Sequence, residues 1–150
     1  MDKVRATIAA ATLLSIAAGP VHAATQAELE ANKQVVAEAM KALQHQDVQG
    51  VAALLADDYI QHNPNAGQGK AGFVAFFAPL WKNGPTPGHD WVNPPVLVTA
   101  EDDIVQMTFK RMTPEPGDPS KTYESFWWDA FRVKDGKLVE HWDPATKPAP

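Results

Sequence analysis

The sequence predicts an α+β domain, and three observations predict it. Apolar residues recur at helical spacing in the first half, extended runs fill the second half, and turn signals separate those runs. Helices first and an antiparallel meander last argue for helices packed on one face of a curved sheet.

The elements follow in order. Residues 1–23 are expected to precede the domain. Lys3 and Arg5 give a positive start, Ala6 to Ala18 is apolar, Gly19-Pro20 breaks the run, and Val21-His22-Ala23 ends it with small residues. This is the layout of a secretory signal peptide cut after Ala23. The run falls short of the ~20 apolar residues of a spanning helix, and an uncleaved anchor is the alternative. The domain then covers 24–150, and the mature protein is expected in the periplasm or outside the cell.

Thr25 and Glu28 form a capping box that opens a helix from Gln26 to about His45. Leu29, Val36, Met40 and Leu43 make its apolar face. Asp47 caps a second helix with Val48, Val51, Leu54 and Leu55 as its stripe, and Asp57-Asp58 ends it. Tyr59 to Pro64 reads as a short extended segment that stops at proline. Asn65 to Gly69 is a loop. A third helix runs from about Lys70 to Trp81, with Pro79 near its end. Asn83 to Pro95 is a proline-rich loop with a short strand at His89 to Val92. Strands are expected at Val96–Thr99, Ile104–Met112, Lys121–Lys134 and Leu138–Asp143. Glu101 to Asp103 is a turn, Thr113 to Ser120 a loop, and Asp135-Gly136 a two-residue hairpin turn.

Composition narrows the function. The chain has no cysteine, so no disulfide, thiol nucleophile or thiolate metal site can form, and the core alone holds the fold. The formal charge is −5, and loss of Asp2, Lys3 and Arg5 makes it one unit more negative. Such a surface repels a polyanion, so nucleic acid is not an expected partner. No apolar run after the leader is long enough to cross a membrane, so no membrane association is expected after cleavage. Ser120 and Ser125 sit in no GxSxG turn. Gly67-Gln68-Gly69-Lys70 lacks the spacing of a phosphate loop. A metal site would need His62, His89 or His141 to converge with a carboxylate; neither metal nor cofactor is expected.

The residues that could carry chemistry cluster at the end. Phe126, Trp127, Trp128, Phe131 and Trp142 crowd the last hairpin, and Asp129 lies inside that run. Strand residues alternate faces, so Trp127, Asp129 and Phe131 share one side. A buried carboxylate is costly unless hydrogen-bonded or protonated. Asp129 is therefore either a pocket acid of raised pKa or the partner of Arg132 or a lysine. His62, with Asn63, ends the extended segment before Pro64, and an imidazole there is either an acid/base group or a hydrogen-bonded core or rim group.

Four stretches resemble the SnoaL-like branch of the nuclear-transport-factor-2-like superfamily. They are Ala56-Asp57-Asp58-Tyr59 through His62-Asn63-Pro64, Gly69 to Phe73, Asp129-Ala130-Phe131-Arg132 through Asp135-Gly136-Lys137, and Leu138-Val139-Glu140-His141-Trp142-Asp143. The resemblance implies a cone in which a curved sheet wraps three helices around a blind apolar pocket. It also implies proton removal beside a carbonyl, with the enolate stabilised by a buried acid. Asp129 matches the family's pocket acid. Asn63 matches the carboxylate base of the steroid isomerases, and an amide cannot take a proton, so His62 is the expected base and Asn63 the group that orients the substrate. Middle-strand histidines of the family are replaced here by Gln106, Thr108 and Lys110. Tyr59, Phe77, Trp81, Trp127, Trp142 and His141 are candidate pocket walls.

The function expected on these grounds is an exported pocket protein for a hydrophobic small molecule. Its chemistry would be cofactor-free acid/base catalysis of the aldol, cyclisation or isomerisation type. The alternative is a non-catalytic ligand-binding or interaction module of the same fold. A homodimer would use an outer sheet face bearing Phe126 and Trp128.

Overall fold

The computed structural model describes residues 23–148. The expected leader lies outside the described residues except for Ala23. The order is α1 (Gln26–Gln44), α2 (Val48–Leu54), β1 (Leu55–Gln61), α3 (Gly69–Phe77), β2 (Leu97–Glu101), β3 (Ile104–Glu115), β4 (Asp118–Lys134) and β5 (Lys137–Trp142). The α+β class is as expected, with three helices against a curved, unclosed sheet.

The helix starts are local chemistry. The Thr25 side chain accepts from the Glu28 backbone N–H while the Glu28 carboxylate accepts from that of Thr25, so two otherwise free groups are satisfied. Asp47 caps α2 by accepting from Gly50. The third helix is shorter than the apolar spacing suggests. Pro79 has no N–H to continue the ladder, and the chain beyond Phe77 runs on in turns bonded back to the Phe77 carbonyl.

Sheet order is β1-β5-β4-β3-β2. The four later strands form the expected meander, closed between β4 and β5 by Asp135-Gly136, both at positive φ (50° and 71°). The first strand joins it beside β5 in parallel, which makes the sheet mixed. Three places depart from the sequence reading. Leu55 to Asp58 belong to β1 and not to a helix end. His89 to Val92 forms no strand; it is a loop tied to the end of α1, with the Gln44 side chain accepting from the Val92 and Asn93 amides. The β3–β4 hairpin extends through the segment expected to be a loop, with Met112 opposite Glu124 and Pro114 opposite Thr122. Beyond the ends of β2 and β5 these strands pair only with each other, and their open edges tolerate a residue without an N–H.

Val36, Ala39 and Met40 of α1 pack on Val105, Met107, Phe131, Val133 and Leu138 of the sheet to form the core. Between β1 and α3 the loop 62–68 folds tightly back. Gly67 and Gly72 meet backbone to backbone, and a Cβ on Gly72 would lie 2.6 Å from the Gly67 carbonyl carbon. The same loop contributes Asn63, Asn65 and Ala66 to the wall of a cavity between helices and sheet.

Candidate functional site

Between the helices and the inner face of the sheet lies a cavity of about 170 Å³. Met40, Leu43, Phe73, Phe77, Phe131 and Leu138 give it apolar walls. Its polar end is built by Gln61, Asn63, Asp129, His141 and Asp143.

Strand parity decides which side chains arrive there. Gln61 and His141 stand opposite each other on the parallel β1–β5 pair, and both point inward with about 6 % of their surface exposed. Tyr59, two residues before Gln61, is buried on the same side. One step along each strand, His62 and Trp142 face outward. A bulge matters here. Arg132 pairs with Glu140 but Val133 with Leu138, so Val139 is an extra residue. It lets both Leu138 and His141 face the core despite an odd separation.

The polar end is one connected network. Gln61 Oε1 accepts from the Asn63 backbone N–H at 2.9 Å. The same oxygen lies 2.7 Å from His141 Nδ1. A carbonyl oxygen only accepts, so Nδ1 must be the ring's N–H. His141 Nε2 is thereby turned to the cavity, 3.1 Å from Asp129 Oδ1. That spacing is a hydrogen bond, and it needs one proton between a ring nitrogen and a carboxylate. Asp143 Oδ2 is 4.0 Å from the same nitrogen and accepts from Asn63 Nδ2 at 2.7 Å. Burial first, then the charges of Asp129 and Asp143, push the Tyr59 phenol well above its ordinary pKa, so it stays neutral.

The expected site residues therefore divide. Asp129, Asn63, Tyr59, Phe77 and His141 all line the cavity. Asp129 is not the partner of Arg132, whose guanidinium turns to the opposite face and bonds Asp103 and Glu140. His62 does not meet Asp129. Its ring is stacked on Trp142 and its Nε2 lies 2.8 Å from Glu140 Oε1, with the side chain 43 % exposed. Trp81 backs Phe77 at 4.4 Å, and Trp127 lies under the Arg111 guanidinium; neither lines the cavity, and nor does Trp142. Asn63 has its amide nitrogen on Asp143 and its oxygen on the Asn65 N–H, so it holds Asp143 in place. Gln61 and Asp143 were not singled out in the sequence. Parity with Tyr59 and with His141 is the signal that finds them.

The outer cluster has a stability signature of its own. The His62 hydrogen bond and then the Arg132 contact hold the Glu140 carboxyl below its ordinary value of 4.5, against the opposing effect of burial. A depressed carboxylate stabilises the fold above its unfolded pKa, and that contribution is lost as pH falls through the folded one. Glu140→Gln is therefore expected to cost at most about 1 kcal/mol at pH 7. The deficit relative to the parent shrinks as pH drops below 4.5. Urea unfolding at pH 7 and pH 3 checks this, and an equal deficit at both contradicts it.

Asp129, His141 and Asp143 also bring one ligand atom each within 4.8 Å of one another. This is the convergence of a histidine with carboxylates that a metal site requires, and these three would be the donor set for a divalent cation.

Helices over a curved sheet, enclosing an apolar cavity with a polar end, define a pocket protein of nuclear-transport-factor-2-like architecture. The chain belongs to the SnoaL-like domain family, whose model matches residues 36–141. Among curated proteins none matches significantly. Solved structures share the fold. A nuclear-transport-factor-2-like protein of unknown function from Burkholderia pseudomallei has a TM-score of 0.56 at 18% identity, over 77% of this chain and 91% of its own. A proposed polyketide cyclase from Xanthomonas campestris pv. campestris has 0.54 at 20%, over 77% and 90%. Another from Sinorhizobium meliloti has 0.54 at 18%, over 73% and 93%.

Proposed function

We propose that the protein binds an apolar carbonyl compound in this cavity and catalyses proton transfer next to the carbonyl. The observation that carries the reading is the 3.1 Å contact between His141 Nε2 and Asp129 Oδ1, with Nδ1 tied to Gln61 behind it. One proton held between two basic groups at the end of an apolar cavity is an acid/base pair ready for both halves of an enolisation. His141 Nε2 takes the proton from the carbon beside the carbonyl. The C–H electrons become the enol double bond, and the carbonyl oxygen takes the proton held by Asp129. Returning a proton to a different carbon gives isomerisation; attack of the enol carbon on a second carbonyl gives aldol addition or cyclisation. His141 thus fills the role that the sequence alone assigned to His62.

A ligand-binding module remains the second reading, favoured by one observation. The Asn63 amide, expected to orient a substrate, has both ends bonded to the protein. Proton exchange separates the two. In D₂O, the protein is expected to speed deuterium uptake beside the carbonyl of small aryl ketones, and His141→Gln to abolish that acceleration. Tight binding of the same ketones with no exchange above background favours the module and refutes the enzyme.

The same proposal carries export and pairing. The leader layout of residues 1–23, a positive start, an apolar run and small residues before Ala24, supports cleavage after Ala23 and a periplasmic or secreted domain of residues 24–150. The outer sheet face, with Phe126 and Ile60 half exposed, supports a homodimer. Mass spectrometry of the N-terminus and light scattering of the purified protein check both. A chain that keeps its leader, or a strict monomer, contradicts the corresponding part.

A further inference from the structure

The polar end of the cavity carries two carboxylates, Asp129 and Asp143, and its neutral donors, the Tyr59 hydroxyl and the Gln61 amide, are set beside each other. The Nδ1 hydrogen of His141 is given to Gln61, and the proton at Nε2 is shared with Asp129. Asn63 gives one of its two side-chain amide hydrogens to Asp143. Asp129 Oδ2 receives no hydrogen bond from the described residues. It is not sealed in the protein interior, and Asp129 forms part of the cavity wall. Neither lysine nor arginine is among the lining residues. Arg132, close by in sequence, is turned to the other face by Asp103 and Glu140. A carboxylate oxygen without a donor at the end of an apolar cavity is relieved by any ligand that brings one. A ligand that brings a carboxylate of its own adds only acceptors to an end that already holds Asp129 and Asp143.

We infer that the cavity selects a ligand whose polar end donates hydrogen bonds, a hydroxyl or an amine on an apolar body, and that it discriminates against carboxylates of the same shape. This rests on the cavity being the ligand site, and it narrows the substrate class proposed above to carbonyl compounds that also carry a hydroxyl. Met40, Phe73, Phe77 and Phe131 receive the apolar body. Asp129 Oδ2 receives the donor. The Tyr59 phenol is consistent with a negative field there, since Asp129 and Asp143 both resist its ionisation.

Four probes on one skeleton test this by protein-observed NMR titration at neutral pH. They are 2-phenylethanol, its methyl ether, 2-phenylethylamine and phenylacetate. The alcohol and the amine are expected to shift the resonances of His141 and Phe131. Phenylacetate and the ether are expected to bind at least about tenfold more weakly, the first by repulsion and the second for want of a donor. In Asp129→Asn, which removes that carboxylate, the gap between phenylacetate and the alcohol is expected to narrow. Phenylacetate or the ether binding as tightly as the alcohol to the parent protein overturns this inference and leaves the pocket reading standing. No probe shifting any cavity residue overturns the pocket reading, and this inference with it.

Discussion

Asp129→Asn is expected to lower turnover of a carbonyl substrate by roughly a hundred- to ten-thousand-fold, the contribution of one positioned acid or base. The substitution keeps size and shape. An amide can still donate to His141 Nε2 across the 3.1 Å contact, so the network and the fold survive. What is lost is a proton that can be passed on. Binding of the substrate is expected to change far less than kcat, because the apolar walls are untouched. Asp143→Asn should cost less, since Asp143 stands 4.0 Å from the same nitrogen and acts through position and charge. Asp129→Asn with full turnover on a proven substrate removes Asp129 from the mechanism.

The largest expected stability effect lies at Leu138. It is 1% exposed and stands at the seam of the sheet, opposite Leu55 on one neighbour and Val133 on the other. Leu138→Ala removes that packing from a rigid junction, at an expected cost of about 2–5 kcal/mol. Leu80, 61% exposed, is the control; Leu80→Ala should change stability by no more than about 0.5 kcal/mol. Chemical denaturation of both variants tests the pair. A Leu138→Ala protein as stable as its parent contradicts the register described for β5.

The α+β class was legible because its signals are local. The Thr25–Glu28 box, the helical spacing of Val36 and Met40, and Asp135-Gly136 each act within a few residues and reappear in the fold. The parallel pairing of β1 was not legible, because it joins Gln61 to His141 across 80 residues and no local pattern announces it. The site was half legible. Asp129 stood out as a lone carboxylate among aromatics, and that is a chemical anomaly visible in one dimension. Which histidine accompanies it depends on strand parity. Tyr59 and His62 cannot face the same side of a regular strand, and neither can His141 and Trp142; taking parity strictly from Tyr59 leads to Gln61 and Asn63. The Val139 bulge then breaks parity on β5, and nothing in Leu138-Val139-Glu140 foretells it. Asp143 needed both the strand direction and the loop at Asn63 before its place beside His141 could be seen.

The most direct test of the shared proton is the imidazole of His141 itself, observed by ¹⁵N NMR in the parent and in Asp129→Asn. Nδ1 is expected to carry hydrogen in both proteins, held by Gln61, and the Nε2 resonance to move when the carboxylate becomes an amide. An Nδ1 without hydrogen, or an Nε2 signal indifferent to Asp129, contradicts the acid/base pair on which the proposed chemistry stands.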